Sequence, residues 1–387
     1  MKKSKKAIVC IGVALVAVLL LTILSNKFYR TTFESLNETD QRMLRELSTI
    51  YTNFEKSSDK LWDKDYRFDK EPLVLIGTNK DRGFWRREAY VVNVPQMESN
   101  LFTAEIKTPD SLRLPKVYRL SRFDVRALSA WFPANFSTLT INDTEVMYYK
   151  YHPKMLNDPD LYFDFASFLL HEAFHTYKQK EWTYDLNGSD HIVDYLANKE
   201  NYALMGVEFS LLDQAMTSNS PETIQQLLYD WTLVRNYRYQ KWPQLIAETK
   251  TEAIEGSARY IEYRYSQLTG GNLTVLALKE KPYHITFMQA FNYIANGEAY
   301  SPSFLQRDIR YETGSALELL MDKANIAWKE AIEDRSTQRG KTQYETLKAY
   351  FKLDGAAVDE LQLNPIKAKY DYENLLRQGQ KLVSIGG

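Results

Sequence analysis

The sequence predicts an α+β protein: an N-terminal transmembrane helix, a mixed β part, then a mostly helical part. Three observations predict it. Ala7–Leu24 runs eighteen residues without a charge, behind Lys2, Lys3, Lys5 and Lys6. Between Pro72 and Tyr151 short β-like runs are separated by Gly, Pro, Asn and Asp. From Asp158 onward the apolar spacing turns helical, and strands followed by helices is the α+β order.

Composition narrows the class. The 387 residues carry 49 Lys+Arg against 50 Asp+Glu, a net charge of −1. That balance argues against a nucleic-acid partner, which needs a basic excess to meet phosphates. A hydrophobic share of 44% is enough for a real core. The single cysteine, Cys10, falls in the apolar run. The rest of the chain therefore forms no internal disulfide and no cysteine-based metal site.

Residues 1–27 read as cytoplasmic lysines and a transmembrane signal anchor. Eighteen apolar residues come close to crossing a bilayer core of about 30 Å at roughly 1.5 Å per residue. The exit, Thr22-Ile23-Leu24-Ser25-Asn26-Lys27, lacks the small-x-small pattern of a cleavage site. An uncleaved anchor is therefore favoured over a cleaved signal peptide and secretion. The lysines should stay cytoplasmic, which makes the chain a single-pass cell-membrane protein with its bulk extracytoplasmic.

Residues 28–70 are polar and helix-prone, a stalk or a first helix. Residues 71–387 read as one domain, β-rich over 71–157 and helical over 158–387. Its β-like runs include Leu73–Ile76, Tyr90–Val94, Ser137–Ile141 and Val146–Tyr151. Asn187-Gly188, Ser218–Pro221 and Gly270-Gly271 punctuate helices rather than domains.

The helix predicted to begin at Asp158-Pro159 reaches His171-Glu172-Ala173-Phe174-His175. Two histidines four apart project from one helix face and can share one Zn²⁺ ion. Glu172 stands beside the metal, where it can take a proton from water. This is the H-E-x-x-H zinc hydrolase arrangement. His152, His191 and His284 are isolated and read as structural.

Catalytic zinc wants three protein ligands and an open position. No histidine occurs in Thr176–Trp182, so the third ligand should be a carboxylate. The best stretch is Pro243–Gln267, a predicted helix stopped by Gly270-Gly271. Glu248, Glu252, Glu255, Arg259 and Glu262 form a charged stripe along it, which by itself reads as a solvated face. Gly256 argues for more, because glycine costs a helix interior about 1 kcal/mol relative to Ala. Gly256, Ser257 and Ala258 remove bulk and would let another helix approach. Glu255 and Glu252 are the candidates.

Glu255-Gly256-Ser257-Ala258-Arg259-Tyr260 resembles the Asn-Glu-Gly-Phe-Ala-x-Tyr segment of aminopeptidase-N-like gluzincins. The resemblance implies a zincin-like (thermolysin-like) catalytic domain, and it implies Glu255 as third ligand beside His171 and His175. Tyr311-Glu312-Thr313-Gly314 is similar to that family's Tyr-x-Lys-Gly segment and implies Tyr311 as oxyanion donor, with Thr313 where the family has Lys. Three features depart from the family. Tyr177–Lys250 forms a long insertion, the chain is short, and the Gly-x-Met-Glu-Asn element that captures a substrate amine is absent.

The expectation is a zinc metallopeptidase acting on peptides or proteins, an endopeptidase rather than an aminopeptidase. His171, His175 and Glu255 are its metal ligands, and Glu172 and Tyr311 its catalytic residues. The run Val146–Tyr151 is expected as the edge strand along which substrate lies. The alternative is a non-enzymatic cell-surface binding or sensor protein retaining the same fold, which would have no use for Glu172.

Overall fold

The computed structural model describes residues 2–28, 31–78, 86–121, 124–126, 134–159, 163–184, 195–271, 273, 285–298 and 301–386. Asn187-Gly188, His191 and His284 lie outside the described residues. The chain forms an apolar N-terminal helix, a β-sheet region and a mostly helical C-terminal part. It divides into two compact units, Met1–Lys178 and Gln179–Gly387.

In the first unit, α1 (Lys2–Phe28) is long and apolar enough to cross a membrane. Its last turn is tied to the unit. Arg119 donates from Nε to Asn26 Oδ1 at 2.8 Å and from Nη2 to the Asn26 carbonyl at 2.7 Å. Arg119 thus satisfies a carbonyl that a helix C-terminus would otherwise leave open. Helix α2 (Glu38–Leu61) begins at Asn37, whose side chain accepts the Asp40 N–H at 3.0 Å. Its apolar stripe of Met43, Leu44, Leu47, Ile50 and Phe54 is fully buried, so this stretch packs as a core helix and not as a stalk.

Six strands form one sheet: β1 (Leu73–Thr78), β2 (Arg86–Val92), β3 (Thr103–Ile106), β4 (Val117–Leu120), β5 (Phe136–Ile141) and β6 (Thr144–Tyr151). The order is β3-β4-β2-β1-β6-β5. β1 and β6 run parallel, with Leu73 opposite Met147, and every other pair is antiparallel. Val74, Ile76, Val91, Leu120, Val146 and Tyr148 share one apolar cluster. Buried Asp40 of α2 accepts the hydroxyls of Tyr90 at 2.5 Å and Tyr151 at 2.6 Å.

The expected edge strand is an interior one. β6 is flanked on both sides, and the edges are β3 and β5. The reason is local: Asn142 and Asp143 both take positive φ and close a tight hairpin that folds β5 back along β6.

After β6 come α3 (Pro153–Asn157) and α4 (Phe165–Ala173). The predicted cap at Asp158 is also corrected. The Asp158 N–H bonds to the Lys154 carbonyl and ends α3, whereas Asp164 caps α4 by accepting the Ser167 N–H at 2.9 Å. A π turn, Phe174–Lys178, continues α4.

The second unit is helical among its described residues. It contains α5 (Lys199–Thr217), α6 (Pro221–Lys241), α7 (Glu248–Thr251), α8 (Ser257–Leu268), α9 (Phe287–Ala295), α10 (Pro302–Gln306), α11 (Ile309–Lys323), α12 (Lys329–Ile332), α13 (Gln343–Tyr350), α14 (Glu360–Lys369) and α15 (Tyr372–Gly386). The predicted helix over Pro243–Gln267 is a continuous helical run of changing pitch: a 3-10 turn at Pro243–Ala247, then α7, a π turn at Glu252–Gly256, then α8.

Candidate metal centre

The first unit seats the histidine pair with aromatic rings. Tyr149 of β6 meets Phe165 and Phe168 of α4, each with ring centroids 5.7 Å apart. Trp62 and Tyr66 hold Phe174 at the other end, at 4.7 and 5.4 Å. Beyond it, Lys178 pairs with Asp63 at 2.9 Å and the Tyr177 hydroxyl donates to the Pro72 carbonyl. Edge-to-face rings of this kind add about 0.5–1.5 kcal/mol each beyond the area they bury.

Held this way, His171 is buried and His175 half-buried. Their Nε2 atoms lie 3.0 Å apart, with the rings at 81°. Two imidazoles bound tetrahedrally to zinc at about 2.0–2.1 Å would place those atoms about 3.3 Å apart. The pair therefore fits such an ion with a small opening. Glu172 is buried beside His171, and its carbonyl accepts the Thr176 hydroxyl at 2.9 Å.

The second unit places Glu255 in the π turn of the Pro243–Leu268 run. His175 and Glu255 thus both occupy π turns, rare segments found disproportionately at functional sites. Gly256 has the packing role its sequence position suggested. A Cβ there would come within 2.6 Å of Gly314 Cα, and one on Gly314 within 2.4 Å of the Glu252 carbonyl oxygen. The two glycines let α11 touch the π turn backbone to backbone, which carries Tyr311 to Glu255. The Tyr311 hydroxyl bonds the Glu255 carboxylate and accepts from Arg307 Nη1 at 3.3 Å. Burial raises the Tyr311 pKa, the Glu255 charge raises it further, and Arg307 only partly offsets them. Tyr311 therefore keeps its proton at neutral pH.

The other carboxylates of the stripe are committed elsewhere, and the stripe is not a solvated face. Glu248 and Glu252 are buried in a cage with Glu208, Arg235, Arg238 and Arg310. Glu252 pairs with Arg235 at 3.0 Å and accepts the Thr313 hydroxyl at 2.7 Å. Thr313 thus serves the cage. Glu262 pairs with Arg259 at 2.6 Å. Glu255 differs from these in lying outside the cage, where it pairs with Arg307 at 3.6 Å. Arg307 itself escaped the sequence reading, since a lone arginine before a helix gives no periodic signal.

His171 and His175 of the first unit present two nitrogen donors to one ion, and Glu255, the expected third ligand, lies in the second unit. Two imidazoles and a carboxylate are a donor set that suits zinc. No protein-family model, no curated protein and no solved structure matches this chain.

Proposed function

We propose that this chain is a membrane-anchored zinc metallopeptidase with an extracytoplasmic catalytic region. The reading is carried by the 3.0 Å approach of the His171 and His175 Nε2 atoms on the helix that also bears Glu172. His171, His175 and Glu255 would hold the ion. Zinc, when bound, supplies a Lewis acid that polarises a peptide carbonyl and makes water more acidic.

The chain's own residues do the rest. Glu172 accepts a proton from the attacking water and returns it to the leaving amine. Tyr311 keeps its proton and donates a hydrogen bond to the oxyanion that develops on the carbonyl. An extended peptide adds as a strand along β5, whose Phe136, Ser137, Thr138 and Thr140 are exposed at the sheet edge. With no recognisable anchor for a free amine, cleavage is internal and N-terminally blocked peptides are accepted. The lysines at the start of α1 keep that end in the cytoplasm.

The test is zinc content and turnover of blocked peptides in wild type and two near-isosteric variants. Glu172→Gln should keep zinc and lose roughly 10²–10⁴-fold in kcat. Tyr311→Phe should keep zinc and lose roughly 10²–10³-fold. Full activity in Glu172→Gln would sink the mechanism, and wild type that binds zinc without turnover would point to a binding protein instead.

A further inference from the structure

A basic pocket opens in the first unit at the start of edge strand β5. Lys150, His152 and Lys154 line it together with Asn135, Phe163 and Phe168. Its position follows from the pairing of β5 and β6. The Lys150 N–H donates to the Asn135 carbonyl at 2.8 Å, so the last turn of β6 lies against the residue that precedes β5. On the other side, Phe168 packs on Phe136 with ring centroids 5.8 Å apart. Phe168 stands three residues before His171, about 4.5 Å along α4.

The lining suits an anion. Up to three positive charges meet around one opening, and aromatic walls lower the local dielectric and strengthen attraction to a negative group. Lys150 is only 2% exposed. Its ammonium lies 5.8 Å over the Tyr148 ring, and burial lowers it to about 8. Lys154 is exposed at the rim, where it adds attraction without a desolvation penalty.

We propose that this pocket receives a carboxylate of the bound peptide, from an acidic side chain or from the C-terminus. The inference rests on the peptidase reading, because a peptide lying along β5 passes the pocket next to the catalytic helix. It makes the protein selective for peptides that present a carboxylate at that position.

The experiment uses three blocked fluorescent peptides of one sequence: a neutral C-terminal amide, its twin with one Gln replaced by Glu, and its twin with a free C-terminal carboxylate. Each is titrated against the full-length, zinc-loaded Glu172→Gln protein, which binds without cleaving. One carboxylate twin should bind at least about 10-fold tighter than the amide, and which twin does so identifies the source. Lys150→Met in that background should abolish the difference, Lys150→Arg should retain most of it, and Lys154→Ala should lower it by a smaller factor while leaving the interior untouched. Equal binding of all three peptides, or a preference that survives both Lys150→Met and Lys154→Ala, overturns the pocket. Turnover in wild type separates the two readings. Cleavage with no charge preference refutes the pocket and leaves the peptidase standing. Carboxylate-selective binding with no cleavage does the reverse.

Discussion

The two units hold their candidate ligands by opposite means. The first seats His171 and His175 with rings: Tyr149 on Phe165 and Phe168, Trp62 and Tyr66 on Phe174. The second surrounds the run that carries Glu255 with buried charge, three arginines against three glutamates. Apolar packing loses stability in proportion to the atoms removed. A buried ion cage does not, because removing one member strands its partners away from water. The first region should therefore yield by degrees and the second abruptly.

The sharpest break is Arg310→Met. Arg310 spans Glu248 at 3.1 Å and Glu252 at 3.6 Å, and all three are fully buried. Its loss should destabilise the second unit by about 3–5 kcal/mol. Urea unfolding followed by hydrogen exchange should show the protection of α6, α7 and α11 collapsing. Fully retained protection would mean that the cage is dispensable.

Acid sharpens the same contrast. Burial pushes the Glu248 carboxyl up, but Arg238, Arg310 and Arg235 outweigh it and hold it down to about 2, below the ordinary 4.5. A depressed carboxyl contributes stability that is complete above the unfolded value and disappears as pH falls through the folded one. Protection in the second unit should therefore decline between about pH 4.5 and 2. In Arg310→Met that decline should flatten, and an unchanged slope would remove Glu248 as its source.

Gly256→Ala is smaller and more local. The added Cβ meets the Gly314 backbone at 2.6 Å, so α11 must shift away from the π turn. Overpacking of this kind costs about 1–3 kcal/mol. It should also weaken zinc binding, since Glu255 and Tyr311 are the pair that separates. Unchanged zinc affinity in a destabilised protein would show that the glycine contact serves packing only.

Legibility in the sequence follows the same divide. Strands β1, β2, β5 and β6 were readable because β-branched and aromatic residues run between turn formers. β3 and β4 were not, for each is four residues long and β4 buries Arg119 in its middle. The His171–His175 pair was readable from spacing alone, and Gly256 marked the stretch with Glu252 and Glu255, between which the family resemblance chose Glu255. The cage was invisible: Arg235, Arg238 and Arg310 come from α6 and α11, off the helical run that carries Glu248 and Glu252, so the stripe looked solvated. The π turns were invisible too, because one extra residue in a turn leaves the apolar spacing almost unchanged. β6 looked like an edge because periodicity records which faces of a strand are buried and not how many neighbours it pairs with.

The smallest effect is expected at the other end of the comparison, in Asp164→Ala. Asp164 satisfies the Ser167 N–H at the start of α4, and an N-cap of this kind contributes about 1 kcal/mol. Its loss should loosen the first turn, where Phe165 meets Tyr149 and Tyr151. The histidines lie further along the helix, and their end has its own fastenings in the Trp62 contact to Phe174 and the Lys178 pair with Asp63. Hydrogen exchange should therefore quicken over residues 165–169 and stay slow over 171–178. Zinc affinity should change by less than about threefold, because a helix end frays without transmitting its loss past the first turn or so. If the variant instead loses zinc outright, the rings do not seat α4 independently of its cap. The first unit would then be as brittle as the second, and the contrast between graded and abrupt failure would be wrong.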